Sequence, residues 1–144
     1  MLFSRINKTD PEKVFVVVKA GEALVAGKPV CYHFNGTDDG KVGYLANAAT
    51  DRVVVGIADA AIASGAYGLV QCYGFRSDAY VILATSQNVD VGGSLDITSL
   101  SSGALYLLTS IGAAADPFRP FQLAISASST TCAESVMGVF IRCM

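Results

Sequence analysis

The sequence predicts an all-β fold: a small β-barrel or sandwich of about ten short strands behind an irregular N-terminal arm. Three observations lead to it. β-Branched and aromatic residues gather in short runs, turn dipeptides such as Asn35-Gly36 and Asp39-Gly40 separate the runs, and glutamate occurs only at positions 12, 22 and 134. Runs of this kind with turn signals between them read as strands and hairpins. The scarcity of Glu leaves little to build a long amphipathic helix from.

Residues 1–13 read as the arm. Leu2, Phe3 and Ile6 are interleaved with Arg5, Asn7, Lys8, Thr9 and Asp10, and Pro11 closes the segment. Apolar anchors between polar residues suit a segment that lies on a surface, its own or a neighbour's. Phe3, Arg5, Ile6 and Lys8 are the residues expected to touch a neighbouring subunit.

Residues 14–144 are expected to form a single β domain. Its strands are predicted at 14–18, 30–34, 42–46, 53–58, 68–73, 80–84, 94–97, 105–109, 121–126 and 136–142. Ala20-Gly21-Glu22 and Ala26-Gly27-Lys28-Pro29 punctuate the first two. Short helical turns are compatible with 45–50 and 58–64. A faint internal echo links Leu45–Ile57 to Ile125–Val139: each passes from small residues into a Val-rich strand containing a glycine, Gly56 or Gly138. This reads either as two related β-modules, 14–75 and 76–144, or as chance likeness among small residues.

Composition narrows the function. Hydrophobic residues make up 52% of the chain, mean hydropathy is +0.48 and charged residues are only 15%. An average domain carries about 25% charged residues, and a lone monomer uses charge to keep its surface solvated. So little charge points to a surface partly covered by other subunits. A membrane span does not account for it. The longest charge-free stretch, Ile97–Ala115, contains Thr98, Ser99, Ser101, Ser102, Gly103, Thr109, Ser110 and Gly112, too many polar groups and helix breakers for a span. The run Val14–Val18 is too short for a signal peptide and is followed by Lys19, so secretion by a signal is not expected. The formal net charge is -2, with residues 1–28 mildly basic and the rest acidic. That lacks the clustered basic face nucleic acid demands and suits docking onto an acidic protein surface.

No chemical motif is complete, and neither catalysis nor a cofactor or metal is expected. Cysteines at 31, 72, 132 and 143 lack the two-residue spacing of zinc or redox motifs and read as buried free thiols, with Cys132 and Cys143 the foremost pair if any is oxidised. The single histidine, His33, shares a strand face with Cys31 by period two, but no third group is marked to orient it as a base, and a packed structural role is expected. Gly21–Lys28 has one residue too many for a phosphate loop, and Pro29 stands where Ser or Thr would be needed. Asn35–Gly40 starts like a calcium loop, yet Ala46 occupies the position of its bidentate Glu.

Three segments within residues 19–75, about two-fifths of the chain, carry a resemblance to a known family. These are Lys19-Ala-Gly-Glu-Ala-Leu-Val-Ala-Gly-Lys-Pro-Val30, Tyr44-Leu-Ala-Asn-Ala-Ala-Thr-Asp-Arg-Val-Val-Val-Gly56-Ile-Ala58 and Ile62-Ala-Ser-Gly65-Ala-Tyr-Gly68-Leu-Val70-Gln71-Cys-Tyr-Gly74. Together they resemble the capsid cement, or head decoration, proteins of tailed phages. The resemblance implies a virion protein made in the host cytoplasm and bound outside an icosahedral shell. It also implies a homotrimer that clamps neighbouring major capsid subunits, without enzymatic activity or cofactor. Residues 76–144 depart from that short module. The patterns Leu105-Tyr-Leu-Leu and Val136-Met-Gly-Val-Phe resemble β-domains of phage head fibres and tail proteins instead. The alternative function is therefore a β-domain binding a host receptor, which exposed aromatics at Tyr80, Phe118 and Phe121 would favour.

Overall fold

Alternation of inward and outward side chains organises the molecule. The computed structural model describes residues 12–34, 37–38, 40–46, 53–82, 94–95, 121–123 and 134–143; for 82, 94–95, 121–123 and 134–135 it describes the backbone alone. The described part is all-β and contains no helix. Six strands have four residues or more: β1 (Val14–Ala20), β2 (Pro29–Tyr32), β3 (Val42–Leu45), β4 (Val54–Ala58), β5 (Tyr67–Ile82) and β8 (Glu134–Arg142). Two shorter ones, β6 (Ser94–Leu95) and β7 (Phe121–Leu123), extend the same mixed sheet beyond β8. The expected strand at 105–109 and residues 1–11 of the arm lie outside the described residues, as does most of the expected helical turn at 45–50. Residues 59–66 form bends and turns around an isolated bridge between Leu24 and Ile62.

The first five strands pair in a ring. β1 runs parallel to β3 through Lys19–Val42 and Ala20–Gly43, β3 pairs with β2, β2 with β4, β4 with β5, and β5 returns antiparallel to β1. Val18, Ala20, Leu24, Val30, Val55, Ala58, Ile62 and Val70 form the buried cluster of these strands, with Val16, Tyr32 and Leu45 packed on it. Val16, Val18 and Ala20 lie at alternate positions of β1, so period two selects the core set directly.

Glycine permits two close approaches around these strands. Gly56 sits in β4 where the register against β2 shifts, and a Cβ there would lie 2.0 Å from the Gln71 carbonyl oxygen of β5. Gly27 has a φ of +77°, a conformation that L side chains rarely adopt. Its N–H donates to the Ala58 carbonyl at 2.9 Å and its carbonyl accepts from Tyr80 N–H at 3.1 Å.

β5 merges two predicted strands, 68–73 and 80–84, into one of sixteen residues. The reason is an extra residue. Arg76 pairs with Val139 and Ala79 with Met137, so β5 advances three positions while β8 advances two. The bulge moves the inward positions from Gly74 and Arg76 to Ala79 and Val81, which breaks the alternation that marks a strand in sequence. Across the ladder, Met137, Val139 and Ile141 are buried.

Candidate functional site

The outer face of the β1–β5 pair is the candidate site. The odd positions of β1 point away from the core, and they are Phe15, Val17 and Lys19. The register sets Val17 opposite Leu69 and Lys19 opposite Tyr67. All five side chains are exposed, Val17 at 65% and Tyr67 at 71%. Directly opposed side chains on one face lie within reach of each other. Val17 faces Leu69, Lys19 faces Tyr67, and Phe15, opposite the buried Gln71, stands two residues before Val17 on the same side of β1. Phe15, Val17, Leu69 and Tyr67 thus form an apolar strip on two paired strands. Lys13 and Lys19 are exposed at either end of β1.

A solvated face of an antiparallel sheet ordinarily alternates apolar-in with polar-out. Here four of the five exposed outward side chains, Phe15, Val17, Leu69 and Tyr67, are apolar or aromatic, and Lys19 is the charged one. Covering it removes apolar surface from water at about 25 cal/mol per Å², and a contiguous exposed apolar patch marks a contact surface. The backbone beneath is well supported. Gln71, buried next along β5, donates through its side-chain amide to the carbonyls of Tyr73 and Phe75, both at 3.2 Å.

The residues singled out from sequence are placed as follows. Phe3, Arg5, Ile6 and Lys8 lie outside the described residues. Cys31 is fully buried and its thiol donates to the Tyr44 carbonyl at 3.6 Å. The His33 ring, just past the end of β2, stacks on Tyr44 with centroids 4.3 Å apart and planes at 7°. The two thus meet the same residue of β3, one at its backbone and one at its ring. The Tyr44 hydroxyl donates to Asp38 at 2.8 Å. That bond holds the hydroxyl's pKa above its usual value, with burial and the charges of Asp38 and Glu22 adding to it. Asp38 thereby braces a hairpin; of the alternate positions that read as a calcium loop, Thr37 is exposed, and Asn35 and Asp39 are outside the description. Tyr80 is half-buried, beside Gly27 and with Lys28 Nζ 5.7 Å from its ring centre. Phe118 and the side chain of Phe121 are outside the description.

Sequence reasoning missed the strip itself. The signal was present: Val14–Val18 is apolar at every position, so whichever face packs inward, the other remains apolar.

A second cluster sits at the β5 bulge. Arg76 has a side chain only 4% exposed, with Nη1 3.2 Å from Asp59 Oδ1 and Nε 2.9 Å from Asp78 Oδ1. Nη2 donates to the Asp59 carbonyl at 3.3 Å and to Asp78 Oδ2 at 3.1 Å. This arrangement ties the start of the β4–β5 connection to the bulge, a structural clamp. Among the described residues, no three His, Cys, Asp or Glu side chains are grouped to hold a metal ion, and no helix is long and apolar enough to cross a membrane.

No protein-family model, curated protein or solved structure matches the chain. The functional reading therefore rests on the residues.

Proposed function

We propose that this protein is a structural virion component of the phage capsid cement class, binding the outer surface of an icosahedral shell and stabilising contacts between major capsid subunits. The observation that carries the proposal is the apolar strip of Phe15, Val17, Leu69 and Tyr67 on the outside of a well-supported strand pair. The low charge and the resemblance within residues 19–75 support the same reading. In this proposal the five ring-paired strands are a small β-barrel, the copies assemble as a homotrimer, and Phe3, Arg5, Ile6 and Lys8 of the arm add contacts to a neighbour. Adhesion is the whole activity, with no catalysis and no cofactor. A normal stable contact buries about 800 Å² per partner, and a symmetric shell multiplies it through avidity.

The experiment is quantification of the chain in purified particles, together with shell binding by a Val17→Thr/Leu69→Thr variant. Hundreds of copies per particle and weakened binding by the variant are expected. A handful of copies would favour the fibre or tail-domain reading, and absence from particles would overturn both. Occupancy unchanged on truncating residues 2–10 would remove the arm from the contact.

A further inference from the structure

Two thiols from distant parts of the chain meet at the end of the β5–β8 ladder. The register pairs Tyr73 with Arg142, which sets Cys72 opposite Cys143, and the Cys143 N–H donates to the Cys72 carbonyl at 3.0 Å. Opposed residues of antiparallel strands project from one face with Cα atoms about 4.5–5.5 Å apart. That separation falls inside the window of about 4.4–6.8 Å in which a disulfide forms. Both cysteines are free thiols, Cys72 buried and Cys143 half-buried. The sequence alone offers Cys132 as the foremost partner of Cys143 if any pair is oxidised; Cys132 lies outside the described residues, and the ladder places Cys72 opposite Cys143.

We propose that Cys72 and Cys143 are a redox-active pair that closes to an intrachain disulfide, fastening the end of β8 to the middle of β5. The oxidant is a small organic disulfide such as oxidised glutathione. Cys143, at the half-buried position, loses its proton to solvent. Its sulfur attacks one sulfur of the oxidant, forming a mixed disulfide and releasing one thiol. Cys72 then attacks the Cys143 Sγ, the mixed bond breaks, and a second thiol leaves. The two protein thiols give up two electrons and two protons, and the oxidant gains both.

The surroundings set the pace of this exchange. Burial, with the neighbouring Cys72 adding to it, pushes the Cys143 thiol up to about 12, and burial raises Cys72 as well. Because the thiolate is the attacking species, closure is slow at neutral pH and quickens as pH rises. The Cys72 thiol also donates to the Val14 carbonyl at 3.4 Å. Closing the bond therefore releases a contact to the first residue of β1. A link enclosing so much of the chain restricts the unfolded state strongly.

The test uses the full-length protein incubated with oxidised glutathione at alkaline pH, followed by acid quench, alkylation and peptide mass mapping. A peptide linked through Cys72 and Cys143 is expected. It should vanish in Cys72→Ser and in Cys143→Ser and persist in Cys31→Ser and Cys132→Ser. The oxidised protein should melt more than about 5 °C above the reduced one. A stable glutathione adduct on Cys143, or a link from Cys143 to Cys132, would overturn the pairing; a correct link with unchanged melting would overturn the fastening role. Should Cys72→Ser fail to fold, Cys143→Ser at the half-buried position makes the same comparison.

Discussion

The guanidinium of Arg76 lies 2.9 Å from the Asp78 carboxylate across the bulge of β5, with the cation buried and the anion 61% exposed. Such an asymmetric pair does not lose equally from either side. Removing the arginine leaves carboxylates that water can solvate, whereas removing the carboxylates strands a cation in the interior. An Asp59→Ala/Asp78→Ala double variant should therefore lose about 3–5 kcal/mol, and Arg76→Met distinctly less. Urea unfolding of both variants checks the order; a larger loss in Arg76→Met would refute the asymmetry.

The apolar strip should be separable from the fold. Val17→Thr/Leu69→Thr keeps good strand formers at exposed positions, so stability should change by no more than about 1 kcal/mol. Sedimentation velocity should show less self-association than the parent at equal concentration. Identical sedimentation would mean that the strip does not join copies of this chain.

Glycine substitutions should split by what the new Cβ meets. At Gly56 it would lie 2.0 Å from a backbone oxygen of β5, while at Gly65, with φ +78°, nothing lies within 4 Å. Gly65→Ala should cost about 1 kcal/mol, the conformational strain alone. Gly56→Ala should cost about 3 kcal/mol or more, since neither backbone can yield without opening the β4–β5 pairing. Chemical denaturation of the two variants side by side decides it.

Alkaline stability should depend on Tyr44. Its hydroxyl donates to Asp38, and that bond raises its folded pKa above the ordinary value near 10. The unfolded chain then releases this proton at lower pH than the folded one. The stabilising contribution is complete below about pH 10 and falls away as pH rises through the higher folded value. Melting temperatures from pH 8 to 11 should decline more steeply in the parent than in Tyr44→Phe. Parallel curves would contradict the assignment.

Much of the first half of the fold was legible in the sequence because short strands with one buried face write their period directly. β1 and β3 begin at the expected residues 14 and 42, and β2 and β4 each begin within one residue of expectation. β5 was not legible as one strand, since the extra residue between Arg76 and Ala79 inverts the pattern midway and resembles a loop. The contact strip was hidden for a different reason. A fully apolar run does not say which of its faces is covered, and only the register with Tyr67 and Leu69 extends the outward set onto a second strand. Cys72 and Cys143 were seen as thiols but not as neighbours, because their adjacency depends on a ladder between segments far apart in the chain.

That ladder also bears on how the chain reaches its native state. β2, β3 and β4 find partners among nearby segments, but β1 reaches across to β5 at Val14–Tyr73, and β8 reaches farther still at Tyr73–Arg142. Closing so long an intervening stretch carries an entropic penalty that must be met before the contacts form, and such pairings slow folding. β8 is then the strand expected to dock last. Until it does, the outer half of β5 presents a bare edge, the interval in which a newly made chain is most prone to join the wrong neighbour.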